Sequence, residues 1–286
     1  MQHDAASAEK LPQPPPVVPM WNANWLRQGG VAIGCAALFA VFSVLTSNFY
    51  QPANLLDIML QSPIIAVGMT LVVMTKGIDL PVGSVVGVSS MIAASLLENG
   101  LWLGIGAGLL AGLFCGLFNG ILIAKLELPD FIVTHGAMSI FRGAALIYTN
   151  GQPIYSISGS FRSIFAGQLL GIPTPVLFAI AIAILAYLMV RFTSLGEHIV
   201  AVGGNEEAAR LAGVDVEKVK ISVYAISGVL ASIAGFVLVA RIGAAEPIGG
   251  NGFELQAIGA AVIGGGSVFG GEGNPPAVTR TGMSAS

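Results

Sequence analysis

Long apolar runs separated by short polar islands set the pattern of this chain. Spanning the hydrocarbon of a bilayer takes about twenty largely apolar residues in a helix. By that measure eight runs stand out, at 29–46, 58–75, 81–97, 101–124, 131–149, 173–190, 221–240 and 255–270. The third and the last are short, and their lengths also suit a buried or re-entrant segment. The pattern predicts an all-α, polytopic integral membrane protein with about eight membrane segments. Ahead of them, residues 1–28 carry Pro12, Pro14, Pro15, Pro16 and Pro19 among polar residues, and read as a disordered, extended tail. The first run begins too late for a signal peptide and lacks a small-x-small cleavage pattern after it.

One polar island is longer than the rest. Residues 192–220 read FTSLGEHIVAVGGNEEAARLAGVDVEKVK and carry much of the charge of the chain. Within the island Asn205 is placed to cap a helix, Glu206 and Glu207 put negative charge in its first turn, and Gly213 can close it in a left-handed conformation. So short a helix is marginal alone in water. It needs the membrane segments behind it, or a partner in front of it.

Composition narrows the function classes. Of 286 residues, 55% are hydrophobic and 9% charged, and the mean hydropathy is +0.82, whereas soluble domains run near a quarter charged. The 38 glycines fit membrane helices, where small residues bring backbones together. Lys and Arg are scattered over loops and form no basic patch, so nucleic acid is set aside as a partner. Cys35 and Cys115 fall within apolar runs as small packing residues, and His3, His135 and His198 show no ligand spacing. Neither a metal nor another cofactor is assigned. No phosphate-binding G-x-x-x-x-G-K-[ST] loop, zinc helix or spaced catalytic pair occurs, so no catalytic residue is assigned and the chain is not expected to be an enzyme.

Basic residues give the orientation. With the N-terminus inside and the runs threaded alternately, Lys10, Arg27, Lys76, Lys125, Arg191, Arg210, Lys218, Lys220 and Arg280 fall in the cytoplasm, and only Arg162 and Arg241 outside. That bias puts the N-terminus and the 192–220 island on the cytoplasmic side.

Within the runs, Gly104, Gly108, Gly112, Gly116 and Gly120 recur every four residues and form one helical stripe. Tight packing within the subunit is the simpler use, and a dimer seam the alternative. Between the second and third runs, TKGIDLPVGS is a charged, turn-prone break whose plain reading is a tight cytoplasmic turn, with Pro81 opening the next helix. Arg142 lies inside the fifth run, where an unpaired guanidinium is costly. It either snorkels to the interface or meets a polar cavity or a carboxylate, with Asp57, Asp79 and Glu254 as conceivable partners. Asp79, Arg142 and Asn150 are the candidates for pathway or structural polar positions. His135 reads as a neutral packed residue.

The run from Gly203 through Gly204, Asn205, Glu206, Glu207, Ala208, Ala209, Arg210, Leu211, Ala212 and Gly213 to Val214 resembles the cytoplasmic coupling loop of the ribose-type, or monosaccharide-type, permease subunits of bacterial ABC importers. Similar to that family too are Gly77-Ile78-Asp79-Leu80 with Val82-Gly83, the Arg142-Gly143 pair, the Thr149-Asn150-Gly151 turn, and the glycine-rich stretch from Glu246 to Gly273. Pro81 departs from the serine usual there. The resemblance implies a permease subunit in the bacterial inner membrane that carries a monosaccharide, a ribose-like pentose or a related sugar. Its implied partners are a second permease subunit in a homodimer, an ABC ATPase subunit that hydrolyses ATP, a periplasmic sugar-binding protein and membrane lipid. ATPase coupling then falls on Gly204, Asn205, Glu206, Glu207, Ala208, Ala209, Arg210, Leu211 and Gly213. On this reading 29–273 is the permease domain, and the polar tail 274–286 lies outside the family pattern, as expected of a truncated or frameshifted permease. Two alternatives stay open: a secondary carrier, and a truncated, transport-incompetent permease fragment.

Overall fold

A computed structural model describes residues 33–34, 36–45 and 52–264, without the side chains of 52–62 and 263. The tail 1–28, Cys35, the part of the eighth run beyond Gly264 and the tail 274–286 lie outside the described residues. The chain divides into two units after Gln51. In the first, helix α1 (Ala36–Leu45) exposes Leu38, Val41, Val44 and Leu45.

Among the described residues, the regular structure of the second unit is helical apart from one short hairpin and an isolated bridge. In order it comprises α2 (Pro52–Met74), α3 (Val82–Leu96), α4 (Leu101–Lys125), α5 (Asp130–Tyr148), α6 (Gly159–Ala166), β1 (Gln168–Leu169), β2 (Ile172–Pro173), α7 (Thr174–Phe192), α8 (Ser194–Gly204), α9 (Glu206–Leu211), α10 (Val216–Ile242) and α11 (Phe253–Ile263). β1 and β2 pair antiparallel, with Leu169 opposite Ile172. Helices α4, α5, α7 and α10 are long and apolar enough to cross a membrane, while α1, α3, α11 and the Pro63–Met74 part of α2 are shorter apolar helices. Each of the eight apolar runs thus contains a helix.

Hydrophobicity does not decide which of these helices is central. In the most apolar stretch of α10, 83% of the residues are buried, against 11% in α7, although both stretches are strongly apolar. Small residues make the difference, because lipid satisfies large apolar side chains as well as protein does. Helix α10 buries Ala225, Ser227, Gly228, Ala231, Ser232, Ala234 and Gly235, whereas α7 exposes Ile180, Ile184, Leu185 and Leu188. The stripe on α4 meets this surface. A Cβ at Gly112 would collide with Ser232 Oγ and the Gly228 carbonyl, one at Gly116 with the Tyr224 carbonyl, and one at Gly120 with Ile221 Cα. Toward the other end, Gly104 and Gly108 lie against Ala93 of α3, its C-cap residue Leu97 and Phe236 of α10. All five glycines of the stripe face neighbours within the subunit.

The polar island holds more helix than its capping signals indicate. Two helices, α8 and α9, occupy it, and residues 216–220 already belong to α10. Thr193 Oγ1 caps α8 by accepting from Gly196 N at 3.3 Å, and Ile199 and Val202 form its buried face. Asp215 Oδ1 caps α10 by accepting from Lys218 N at 3.1 Å. Near the far end of α10, α6 packs Phe161 and Phe165 edge-to-face against Phe236, and stacks Phe165 on Phe178 of α7. A bridge between Ile154 and Ala245 joins the two connections there.

Candidate functional site

Two regions combine buried chemistry with exposed handles: the α8–α9 surface and the polar break between α2 and α3.

The Asn205 side chain caps α9, its Oδ1 accepting from Ala208 N at 3.0 Å. Glu206 and Glu207 occupy the first turn, where the helix dipole favours negative charge. At the other end Gly213, at φ 89°, closes the helix with bonds from Gly213 N to the Arg210 carbonyl and from Val214 N to the Ala209 carbonyl, each 3.0 Å. Ala209 is buried and seats α9 in a cluster with Val72 of α2, Ile199 and Val202 of α8, and Val219 and Val223 of α10. Lys220 donates to Glu206 Oε2 at 2.8 Å and fastens α9 to α10, while Arg210 lies 3.6 Å from Glu206 Oε1. Glu207, Ala208, Arg210 and Leu211 remain on the outside. Leu211 is 91% exposed on a helix that is otherwise polar or small-residued there. A large apolar side chain held out on a firmly seated polar helix has the form of an interface anchor.

The same surface continues into the bundle through the break after α2. Lys76 adopts a left-handed backbone at φ 64° and ends α2, with Gly77 N bonded to the Val72 carbonyl at 3.0 Å. Such a conformation is unfavourable for a residue with a side chain. Its ammonium donates to the Gly204 carbonyl at 3.1 Å, so a cation covers the C-terminus of α8. Two residues on, the Ile78 carbonyl accepts from Tyr224 Oη at 3.3 Å, and the same hydroxyl donates to Asp130 at 2.9 Å. Asp79 is buried and accepts from Ser227 Oγ at 2.6 Å. At 1.5 Å per residue, Ser227 lies about 16 Å along α10 from Val216. Asp79 therefore sits at depth in the bundle, and the segment is more than a surface turn. Pro81 is the N-cap residue of α3 rather than its first helical residue, its carbonyl accepting from Val85 N at 2.8 Å.

Of the three carboxylates named beside Arg142, Glu254 at the start of α11 is the one that pairs with it, at 3.8 Å. Asp79 is engaged with Ser227, and the Asp57 side chain is outside the described residues. Asn150 is an exposed turn residue at φ 52°, ending α5 together with a 2.7 Å bond from Gly151 N to the Leu146 carbonyl. His135 stacks on Phe131 one turn away, on the outer face of α5. Among the described residues no group of His, Cys, Asp and Glu could hold a metal ion.

Tyr224, Ser227 and Asp130 were not singled out by sequence reasoning. Two of them are hydroxyls inside an apolar run, and that is the signal by which they could have been found. Outside the bundle, Asp215 is held below the usual carboxylate range by its bond with Lys218, whose ammonium lies 2.8 Å away.

The chain matches the family model described as the permease component of branched-chain amino acid transport systems over residues 52–279. It is 41% identical over 258 residues to the ribose import permease protein RbsC of Escherichia coli, covering 87% of this chain and 80% of the relative. The D-allose transport system permease protein AlsC of Escherichia coli is 37% identical over 256 residues, covering 87% and 78%. The L-arabinose transport system permease protein AraH of the same organism is 37% identical over 252 residues, covering 86% and 76%. No solved structure matches the chain significantly.

Proposed function

Because the chain belongs to the permease-component family of the branched-chain amino acid transport systems and is a multi-pass inner-membrane protein, we propose that it is the membrane subunit of an ATP-driven importer that carries a monosaccharide. The α8–α9 surface carries this reading. Its buried side is packed into α2 and α10, and its outer side presents Glu207, Ala208, Arg210 and Leu211. An ATPase subunit docking there moves α9. Through Ala209 and the Glu206–Lys220 bond that motion reaches α10, and through Lys76 it reaches the Asp79 segment. Closure of the ATPase then biases the membrane helices between two arrangements.

On this reading the N-terminus and the α8–α9 surface are cytoplasmic. A second copy of the chain completes the pathway, and a periplasmic binding protein delivers the substrate. The sugar assignment is supported by the ribose, allose and arabinose in the names of the relatives. The description of the family model names branched-chain amino acids instead, and leucine is therefore the control solute.

The test is uptake by cells expressing the chain with its ATPase and binding protein, with labelled D-ribose, D-allose, L-arabinose and L-leucine. One of the sugars is expected to enter in an ATP-dependent manner. Ala208→Asp combined with Leu211→Asp is expected to abolish that uptake and the co-purification of the ATPase, with membrane expression unchanged. Uptake of leucine alone refutes the substrate class, and retention of the ATPase by the double variant refutes the docking surface.

A further inference from the structure

We infer that Arg142 of α5 and Glu254 of α11, beside the first turn of α3, form a contact site for the hydroxyl groups of a polyol. The inference rests on the sugar-permease reading.

At 3.8 Å the guanidinium and the carboxylate are too far apart for a hydrogen bond. Arg142 Nη2 and Glu254 Oε2 are shut off from solvent, and each lacks a hydrogen-bond partner among the described residues. Arg142 lies about 18 Å along α5 from Asp130, well inside a membrane-length helix. A charge pair at that depth without its full set of hydrogen bonds is costly, and ionisable residues kept there face the bundle interior or a pathway. A ligand oxygen fits the gap. One oxygen can stand about 2.8 Å from each of two atoms that are 3.8 Å apart. A hydroxyl suits both neighbours, since it accepts from the guanidinium and donates to the carboxylate. A second hydroxyl on the adjacent carbon would serve Glu254 Oε2.

The surrounding backbone provides a way to open the site. Glu254 follows Gly249, Gly250 and Gly252, the last in a left-handed conformation at φ 88° that favours glycine. A Cβ at Gly83 would collide with the Gly250 carbonyl and come within 2.6 Å of Glu254 Oε2, so this glycine segment closes directly over the start of α3. The N-cap residue of α3, Pro81, offers no side-chain cap, and the carboxylate of Glu254 lies against that helix start. On the same segment Asp79 is buried with Oδ1 unpartnered. Irregular backbone at membrane depth is tolerated where it is buried in protein or lines a cavity. Displacement of the 249–252 segment would uncover the start of α3 and shift Glu254, two residues on, relative to Arg142.

The experiment is saturation-transfer NMR on the full chain in lipid nanodiscs, with D-ribose, D-allose, L-arabinose and L-leucine at millimolar concentration. At least one sugar is expected to receive saturation, and its affinity is expected to fall about tenfold in Arg142→Gln and Glu254→Gln, the loss of one charge-assisted bond, but not in Lys125→Gln. Deoxy forms of that sugar should include one that binds the wild type more weakly and Glu254→Gln equally. A purely structural ion pair would not produce that pattern. If a Gln variant misfolds, Glu254→Asp keeps the charge and withdraws it by one methylene, and is expected to weaken the sugar likewise. Sugar binding unchanged in every variant overturns the site and leaves the sugar-permease reading standing. Saturation of leucine alone overturns both, and no saturation from any solute overturns the site.

Discussion

Replacing Gly112 by alanine tests the packing that holds the bundle together. Its added methyl would meet Ser232 Oγ, which can rotate away, and the Gly228 carbonyl, which is backbone and cannot. Relief requires α4 and α10 to separate, and overpacking of this kind costs about 1–3 kcal/mol. Gly106 in the same helix is the control, because nothing lies within 4 Å of a Cβ built there. Each substitution replaces a glycine inside the same helix, a gain of about 1 kcal/mol on scales measured in water. That gain cancels in the comparison, and Gly112→Ala is expected to be less stable than Gly106→Ala by the overpacking cost alone. At roughly 2–4 °C per kcal/mol for a chain of this size, about 2 kcal/mol lowers the melting temperature by about 4–8 °C. The assay is thermal unfolding of both variants in one detergent, followed by loss of monodispersity. Equal melting temperatures would refute the claim that the stripe is clamped against α10.

Other expectations follow from single contacts. Ser227→Ala removes the bond to Asp79 and leaves a buried carboxylate with no partner among the described residues on either oxygen, so it should cost about 1–3 kcal/mol. Thermal unfolding against Ser95→Ala, whose hydroxyl bonds the exposed Tyr148, checks this, and equal loss in the two would count against it. Asn205→Ala removes the cap of α9 and should cost about 1 kcal/mol locally, read as faster amide exchange at Ala208 with α10 unaffected. Asp215 has a lowered value in the folded chain, so its cap on α10 is fully present above about pH 4 and is lost as the pH falls through that lowered value. Exchange at Lys218 N, corrected for its intrinsic pH dependence, should therefore accelerate in acid, and an Asp215→Asn variant should not show that step.

The apolar pattern alone placed a helix in each of the eight runs, since the reach of an apolar run sets where a helix can be buried in lipid. The island helix was legible for the same reason: Asn205, Glu206, Glu207 and Gly213 act within one turn of their own sequence positions. A resemblance carried by a continuous stretch identified the family, because recognition of that kind needs no knowledge of packing. Tertiary structure alone decided the rest. For the stripe on α4, packing within the subunit was the simpler use and a dimer seam the alternative, and only the small residues of α10 showed where close approach occurs. The TKGIDLPVGS break looked like a surface turn, because nothing local reveals that Asp79 meets Ser227, distant in sequence, at depth. Arg142 had three conceivable carboxylates, and the choice of Glu254 depended on where the 249–252 glycines carry α11. Caps and apolar runs are local and survive in one dimension; partners across the bundle are fixed by helix packing, which sequence distance does not encode.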